Sequence, residues 1–333
     1  MRAFTFTRYA KRDNMAFTDK ERPTPKSDEL LVEVHAVGLN PVDLMIAKGE
    51  FKPFMKFDLP ATLGTDLAGV VVEVGSRITR FKPVDDVFAS TFDSGVGTLA
   101  EFAVVRESAA APKPKSLDFV QAASIPMVGL TSWQSLVERV GLKTGQKIFI
   151  PSGSGGVGTF AIQLAKHLGA KVGTTTSNAN VDLVRGLGAD EVVDYKKQEF
   201  DKILRDYDAV LGTVKGDGIE KSLRILKPGS TIVSLVGPPD IAFARQRGMN
   251  VIMKLIFGLL SRKIMRLSEK SSIKYSFLLG RPDGGQLAEI GALLDAGRIR
   301  PVVDKVFPIE QAKEAFEYLG QGRAKGKVVV QMK

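Results

Sequence analysis

The chain has 333 residues, 44% of them hydrophobic and 25% charged, which is typical of a globular protein of about two domains. Because the sequence has 0 Cys, it excludes disulfides, thiolate catalysis, iron–sulfur clusters and cysteine zinc sites. Its 2 His leave few ligands for a histidine metal site. The net charge of +10 admits nucleic acid, anionic membranes and phosphorylated small molecules as partners without choosing among them.

Residues 1–115 alternate short strand-like runs with turns rich in Gly and Pro, which predicts a small unit built mainly of β-strands. The clearest runs are the segment around Phe4 and Phe6, followed by 31–37, 67–74 and 100–105. No stretch of useful length has a helical period, so we predict no helix in this part of the chain.

After this β-rich part the pattern becomes helical, and then strands and helices alternate. Ser116 is predicted as the N-cap of a helix over 119–140 that Pro126 interrupts. Lys227-Pro228-Gly229 is predicted to stop a later helix. The alternation predicts a parallel sheet with right-handed crossovers, whose strands fall at 147–150, 171–175, 191–193, 209–211 and 231–236.

Residues 240–274 interrupt this alternation. Met249 to Leu260 is strongly apolar apart from Lys254, and the whole segment carries +6 of the chain's net charge of +10. We predict an apolar helix with cationic flanks, followed by strands and helices at 274–279, 286–296, 302–307, 310–319 and 327–330. Three interpretations stay open: a helix packed at a domain cleft with a solvated basic face, a helix lying on a membrane surface, and a site that captures an anion such as an acyl-CoA or nucleic acid.

The strongest local signal is a glycine motif, G-x-G-x-x-G, which follows an apolar strand and opens an amphipathic helix. Glycine is needed because a Cβ would keep the backbone from a pyrophosphate and the helix from the strand. The helix N-terminus supplies free N–H groups and partial positive charge. The motif is Gly153-Ser154-Gly155-Gly156-Val157-Gly158, and the sequence predicts that Gly153, Gly155, Gly156, Val157 and Gly158 bind a dinucleotide.

The strand after this motif indicates which dinucleotide binds. Sites that prefer NAD place Asp or Glu at its end to bind the ribose 2′-hydroxyl. Residues 171–180 contain no acid, and small hydroxyls stand there instead, at Thr174, Thr175, Thr176 and Ser177. Hydroxyls can donate to a 2′-phosphate that a carboxylate would repel, so we predict NADPH, although no Lys or Arg stands at 177–180.

Taken together, the motifs of nearly the whole chain resemble the medium-chain dehydrogenase/reductase superfamily, in its zinc-free quinone oxidoreductase and enone reductase branch. The residues that carry the resemblance are V37-G-L-N-P-V-D43, G64-T-D-L-A-G69, G97-T-L-A-E-F102, G129-L-T131, the glycine motif with Gln163-Leu164-Ala165, and G188-A-D190. The resemblance implies an α/β fold with a GroES-like β-rich catalytic domain at 1–122 and 281–333. A Rossmann domain with a doubly wound parallel sheet, at 123–280, would bind NADPH.

Zinc-dependent members of the superfamily place Cys where Asn40 stands and His-Glu where Thr65-Asp66 stand, so the resemblance implies no metal here. Without a Lewis acid the enzyme must reduce acceptors that are already electrophilic. We therefore expect NADPH-dependent, zinc-independent hydride transfer to quinones or α,β-unsaturated carbonyls. Asp66 itself is either a cleft residue or the cap of a turn.

The resemblance also implies roles for single residues. Asn40 and Asp43 resemble the family's polar cleft residues near the nicotinamide ribose and the substrate, and we predict them as the catalytic pair. The remaining cofactor-binding residues are Thr131 at the nicotinamide end, Tyr195 and Arg323 at the adenosine 2′-phosphate, and Val236 at the end of a predicted strand.

Two tyrosines of related bacterial quinone reductases are replaced by Met45 and Phe51. This makes the cleft more apolar and leaves no obvious general acid, so we expect solvent to protonate the reduced acceptor. Two other functions stay open: an enoyl-thioester reductase of the same fold, and an NADPH-binding sensor or a peripheral membrane or RNA-binding protein. The resemblance implies a homodimer, and the lack of signal and membrane-spanning segments and of cysteine predicts a cytoplasmic location.

Overall fold

A computed structural model describes residues 1–10, 14–52, 57–92 and 97–333, which divide into two compact units. Unit 1 comprises Met1–Leu130 with Gly280–Lys333, and unit 2 comprises Thr131–Leu279. The domain limits expected from the sequence, after residues 122 and 280, stay predictions. So does the assignment of one domain to the acceptor and the other to the cofactor.

The N-terminal part of unit 1 is built mainly of strands, as the alternation of residues 1–115 predicts. Its elements are β1 (Arg2–Phe6), β2 (Met15–Asp19), β3 (Glu29–Leu39), α1 (Pro41–Lys48), β4 (Ala61–Thr62), β5 (Asp66–Val74), β6 (Asp86–Ser90), β7 (Phe102–Arg106), β8 (Ala110–Pro112), α2 (Phe119–Ala123) and α3 (Pro126–Trp133). Pro126 is the first residue of α3 and separates it from α2. A π-helical stretch, Gln134–Val140, continues α3 at its C-terminal end.

Unit 2 alternates strands and helices, and all its strand pairs are parallel. Its elements are β9 (Lys147–Ile150), α4 (Gly156–His167), β10 (Lys171–Thr176), α5 (Val181–Gly186), β11 (Glu191–Asp194), α6 (Phe200–Ile203), β12 (Tyr207–Gly212), α7 (Gly218–Leu223), β13 (Leu226–Ser234), α8 (Ile241–Gln246), α9 (Val251–Lys270) and β14 (Lys274–Phe277). The sheet order β11-β10-β9-β12-β13-β14 reverses direction beside β9, where doubly wound sheets bind dinucleotides.

The C-terminal segment returns to unit 1 with α10 (Gly284–Asp295), β15 (Val303–Pro308), α11 (Ala312–Gly320) and β16 (Lys327–Gln331). There β16 pairs with β3 in a seven-stranded sheet of order β15-β16-β3-β5-β6-β8, to which β7 adds by pairing with β3. A smaller sheet has the order β2-β1-β4. The long strand β3 thus places the polar residues that follow it beside the start of β16 and the start of β5.

Helix α1 lies where we predicted no helix, so that prediction is wrong. The helix has only two turns, too short for a periodic pattern, and its signal is its caps rather than its period. Asn40 is the N-cap, Pro41 occupies the first turn, and Asp43 completes a capping box. Gly49 ends the helix with φ +84°.

Two other local predictions need correction. The N-cap of α2 is Asp118, whose carboxylate accepts the Gln121 N–H at 2.7 Å, whereas the N–H of Ser116 donates to Asp295. Helix α7 ends at Leu223, so Lys227-Pro228-Gly229 does not stop it; those residues lie in β13, beside a shift in its register with β12.

The segment 240–274 forms α8 and α9. One face of α9 is buried through Phe257, Ser261, Ile264 and Ser268, and Ile264 packs into the core of unit 2. One face of α9 is thus buried and its basic residues are solvated, while six large apolar side chains of α9 are exposed. The position of this helix at a domain cleft stays a prediction. Among the described residues, no helix has the length and hydropathy needed to cross a membrane.

Candidate active site

The glycine motif forms the turn between β9 and α4. A Cβ on Gly153 would lie 2.2 Å from Thr174 Oγ1, and one on Gly158 would lie 2.4 Å from Ser152 O, so packing alone requires glycine at both positions. A Cβ on Gly155 would meet only Ser152 O, at 3.4 Å. Packing therefore does not require glycine at 155, and this open backbone fits the predicted close approach of a pyrophosphate.

The turn presents backbone donors at the N-terminus of α4. Gly155 is the N-cap, and no side chain caps this end of the helix. The first-turn amides belong to Gly156, Val157 and Gly158, three of the predicted cofactor-binding residues. An uncapped N-terminus with partial positive charge suits a phosphate, so this part of unit 2 fits a dinucleotide.

A hydroxyl cluster, Ser154, Thr176, Ser177 and Asn180, lies between this turn and the end of β10. The Thr176 hydroxyl donates to Ser154 Oγ at 3.0 Å, and Asn180 Nδ2 donates to Ser154 Oγ and Ser177 Oγ, each at 3.3 Å. Asn180 Oδ1 is buried and accepts no hydrogen bond from the described residues. This orphaned acceptor suits a ribose hydroxyl donor, since the sequence predicts the adenosine ribose at this strand end.

The other predicted cofactor residues divide between the units. The Tyr195 N–H, just past β11, donates to Thr176 O at 3.2 Å, and the Tyr195 side chain is exposed. Val236 follows the end of β13, where its N–H donates to Ser234 Oγ at 3.3 Å. Thr131 is buried in α3, and Arg323 is exposed in unit 1 between α11 and β16. The roles of all four in binding cofactor stay predictions.

A buried polar cluster in unit 1 contains the two residues predicted as catalytic, Asn40 and Asp43, together with Thr65, Asp66 and Lys327. Asn40 Nδ2 donates to Asp66 Oδ2 at 2.9 Å and to Thr65 Oγ1 at 3.1 Å, and the Lys327 ammonium donates to Asn40 Oδ1. Lys327 Nζ also lies 3.6 Å from Asp66 Oδ2. Both ends of the Asn40 carboxamide are therefore already engaged by protein groups.

Burial shifts the pKa values of the charged groups in this cluster. Desolvation raises the pKa of Asp43 to about 7, against the hydrogen bond that the Asn40 N–H donates to its Oδ2 at 2.8 Å. Desolvation also raises the pKa of Asp66, while the nearby Lys327 ammonium opposes the rise. It lowers the pKa of Lys327, against the attraction of both carboxylates. Asp43 Oδ1 and Asp66 Oδ1 are buried without partners among the described residues.

The structure shows what Asp66 contacts. Its Oδ2 accepts from Asn40 and, at 3.1 Å, from the Met127 N–H in the first turn of α3, and it faces Lys327. Whether Asp66 also lines the cleft stays a prediction. Lys327 was not predicted as a functional residue. Its signal is a lysine at the head of a strand that continues with three valines, a position where a buried charge needs partners.

Known proteins similar to this chain identify its family. Two family models match, the alcohol dehydrogenase GroES-like domain over residues 26–115 and the zinc-binding dehydrogenase over residues 187–330. The mitochondrial NAD(P)H oxidoreductase RTN4IP1 of Danio rerio is 36% identical over 99% of this chain and 91% of its own. The chain belongs to the medium-chain dehydrogenase/reductase superfamily.

Two further relatives narrow the branch. The chloroplastic NADPH-dependent alkenal/one oxidoreductase of Arabidopsis thaliana is 34% identical over 92% of this chain and 73% of its own. The solved quinone oxidoreductase of Coxiella burnetii superimposes with a TM-score of 0.85 at 28% identity, covering 100% and 99% of the two chains. The protein is thus an oxidoreductase of the quinone and enone reductase branch that uses a nicotinamide cofactor, with a GroES-like and a Rossmann domain.

The zinc-binding description of the second family model does not fit the donors at Asn40, Thr65 and Asp66. They offer an amide, a hydroxyl and a carboxylate, and the Lys327 ammonium contacts the amide and lies near the carboxylate. Zinc prefers thiolate, imidazole and carboxylate ligands. Within the described ranges, no group of three His, Cys, Asp or Glu side chains could hold a metal ion.

Proposed function

We propose that the protein is an NADPH-dependent, zinc-independent reductase of quinones or α,β-unsaturated carbonyls. When bound, the nicotinamide supplies a hydride to a conjugated carbon of the acceptor. The electron pair displaced from the carbon–carbon double bond moves onto the acceptor oxygen as an enolate or hydroquinone anion, which a proton from solvent neutralises.

The observation that carries this proposal is the uncharged end of β10. Thr176, Ser177 and Ser154 present hydroxyls there, and no carboxylate stands within 171–180. A 2′-phosphate needs donors and the absence of a carboxylate, and this strand end offers both. The exposed Tyr195 follows the neighbouring strand and supports the same assignment.

The buried polar cluster supports the acceptor class. The side chains of Asn40 and Asp43 are held by protein partners, so we assign them to fixing the backbone between β3 and α1 rather than to proton transfer. An acceptor that is electrophilic before it binds needs orientation and exclusion of water more than acid catalysis. Quinones and enones are such acceptors.

The direct test is oxidation of NADPH, followed by its nicotinamide absorbance, with short vinyl ketones, 2-alkenals, ortho- and para-quinones and a short enoyl-CoA thioester. We expect turnover of an enone or a quinone. Turnover of the thioester alone would replace the proposal with an enoyl-thioester reductase. Binding of NADPH without turnover of any acceptor would overturn the reductase and favour a sensor.

The choice of NADPH is tested by Ser177→Asp, with Ser271→Asp as the matched control. Ser271 precedes the amino end of β14, at the sheet edge opposite the strand ends that bind cofactor. We expect Ser177→Asp to weaken NADPH binding about tenfold or more while NADH binding changes little, because the new carboxylate repels only the 2′-phosphate. Equal losses for both cofactors would contradict this reading of β10.

Two expectations of the resemblance complete the proposal. We infer a homodimer, which sedimentation velocity over a range of concentrations would test. The expected cytoplasmic location stays a prediction; the relative from Danio rerio is named as mitochondrial.

A further inference from the structure

Helix α9 turns a face toward solvent that changes character along its length. In its first ten residues that face is apolar: Leu259, Val251, Ile252 and Leu255 are 70%, 68%, 67% and 64% exposed, and Leu260 is 59% exposed. Helical spacing places these side chains opposite Phe257, Ser261, Ile264 and Ser268, which bury the other face. We call these five exposed residues the apolar patch.

The same solvent face becomes cationic in the second half of α9. Arg262, Arg266 and Lys270 are exposed, and none of them has an ion-pair partner among the described residues. Lys263 is also exposed and pairs with Glu220 at 2.7 Å. The helix as a whole carries five basic side chains against one acid, Glu269. We call Arg262, Arg266 and Lys270 the basic patch.

Large exposed apolar side chains gathered on one helix face are unusual in a protein that has no partner for them. We propose that this face of α9 binds the surface of a bilayer that contains anionic phospholipids. The apolar patch would enter the boundary between head groups and acyl chains, while the basic patch lies at the level of the lipid phosphates.

The charge pattern selects this occupant over a second copy of the chain. A two-fold contact centred on the apolar patch would cover the apolar side chains of both copies but would leave both basic patches without a counter-charge. A contact centred on the basic patch would instead bring like charges together, which is unfavourable. An anionic bilayer has an apolar layer next to a layer of phosphates, so its surface can contact the apolar patch and the basic patch of α9 together.

The length of the apolar patch fits a shallow insertion. Val251 and Leu260 are nine residues apart, which is about 14 Å along a helix. That length is less than half of a bilayer's hydrocarbon core of about 30 Å, so the patch can lie at the interface but cannot span the membrane. The buried face of α9 stays on the core of unit 2 throughout, so binding requires no unfolding.

The test uses the full chain and sedimented vesicles of two compositions, phosphatidylcholine alone and phosphatidylcholine with about one-third phosphatidylglycerol. We expect binding to the anionic vesicles that weakens as salt rises, and little binding to the neutral ones. Equal binding to both compositions, or none to either, would overturn the proposal. Salt-sensitive binding to RNA with no binding to anionic vesicles would overturn it in favour of a nucleic-acid surface.

Two double variants separate the patches. Arg262→Gln with Arg266→Gln should weaken vesicle binding about thirtyfold, whereas Lys143→Gln with Lys313→Gln, which removes the same charge from exposed positions elsewhere, should change it little. Leu255→Gln with Leu259→Gln should weaken it about tenfold or more, and Val306→Gln with Ile203→Gln serves as its control. Equal losses in variants and controls would overturn the role of α9.

The fluorescence of a tryptophan placed in the apolar patch reports insertion into the bilayer. Leu259→Trp should show a blue-shifted emission on anionic vesicles and quenching by brominated acyl chains, while Trp133 in the parent chain supplies the background signal. Turnover of a water-soluble acceptor should be unchanged in all α9 variants. Sedimentation velocity tests the competing outcome, in which the apolar patch binds a second copy of the chain. The proposal would be overturned if the parent chain bound no vesicles and formed a dimer that Leu255→Gln with Leu259→Gln dissociates.

Discussion

In unit 1, an ammonium, two carboxylates and an amide bind one another out of contact with solvent, whereas in unit 2 the polar groups ahead of α4 are backbone amides and uncharged hydroxyls. The cluster of unit 1 has few donors left for a ligand. The turn of unit 2 keeps its first-turn amides and one orphaned acceptor, Asn180 Oδ1. One region therefore uses charge to hold the fold, whereas the other keeps neutral groups that have no protein partner in the described part of the chain, and there we propose that the cofactor binds.

The largest expected effect comes from removing the buried cation. Lys327→Met leaves Asp43 and Asp66 without their ammonium in a desolvated site, so we expect a loss of about 3–5 kcal/mol in the free energy of unfolding. Lys333→Met is the control, because Lys333 is exposed and pairs with Glu33 at the surface. Urea denaturation of both variants measures the difference.

A second variant tests whether the loss arises from the carboxylate that Lys327 faces. Asp66→Asn in the Lys327→Met background removes the charge left unpaired, and part of the lost stability should return. Additive losses from Lys327→Met and Asp66→Asn would show that the two side chains act independently, and would contradict the ion pair as the source of the effect.

The next largest effect separates packing from ligand approach within the glycine motif. Gly158→Ala places a Cβ 2.4 Å from Ser152 O and 2.7 Å from Gly153 Cα, both backbone atoms, so we expect about 1–3 kcal/mol of destabilisation and loss of cofactor binding. Gly155→Ala has only one neighbour, at 3.4 Å, and should weaken NADPH binding while leaving the free energy of unfolding nearly unchanged. Thermal unfolding and fluorescence titration measure the two quantities.

The comparison between the two glycines has a control in the same unit. Gly186 in α5 has nothing within 4 Å of an added Cβ, so Gly186→Ala should raise stability slightly and leave cofactor affinity as it was. Tight NADPH binding by Gly155→Ala would contradict the approach of a pyrophosphate to this glycine.

A further expected effect concerns the dependence of stability on pH. The pKa of Asp43 is raised to about 7 in the folded chain, above its ordinary value of 3.8. Between pH 3.8 and 7 the folded state therefore keeps a proton on Asp43 that the unfolded state has released. The contribution of Asp43 to stability is complete below pH 3.8 and is lost as pH rises toward 7. Its slope approaches about 1.4 kcal/mol per pH unit in that window.

Asp43→Asn removes this titration while keeping an oxygen for the Asn40 N–H. The difference in unfolding free energy between the variant and the parent chain should therefore shift in favour of the variant from pH 5 to pH 7 and level off above it. Denaturation at several pH values gives that difference directly. A constant difference across the range would show that Asp43 keeps an ordinary pKa.

Most of the fold could be predicted because it repeats patterns of period and punctuation. The strand Lys147–Ile150 falls where predicted, and the strands predicted at 171–175 and 191–193 lie within β10 and β11. Helix α1 was missed because two turns between Asn40 and Gly49 show caps but no period. The later part of β13 was predicted, but its first residues precede a register shift with β12 that no local pattern reveals.

The candidate site was predictable only where its residues are close in sequence. Gly153 to Gly158 form one motif, so their chemistry is visible in the sequence. Asn40 and Lys327 are 287 residues apart and meet because β16 pairs with β3. A strand pairing of that separation is a property of the whole sheet, so the partner of Asn40 could not be read from either segment alone.

The smallest expected effect lies in the hydroxyl cluster. Ser154 Oγ accepts hydrogen bonds from Thr176 and from Asn180, so Ser154→Ala leaves two donors without their shared acceptor. We expect a loss of about 0.5–1.5 kcal/mol in unfolding free energy, because neutral hydrogen bonds contribute little net stability and water can reach the half-buried site. Ser271→Ala, at an exposed position near the end of α9, is the control.

Added NADPH sharpens this last measurement. If the orphaned Asn180 Oδ1 accepts from the ribose, cofactor should reorder the cluster, and the stability difference between Ser154→Ala and the parent chain should grow in saturating NADPH because the variant binds it more weakly. A difference that stays constant with and without cofactor would place the ribose elsewhere. The hydroxyl cluster would then be, like the buried cluster of unit 1, a device that holds the fold and leaves the ligand to the glycine turn.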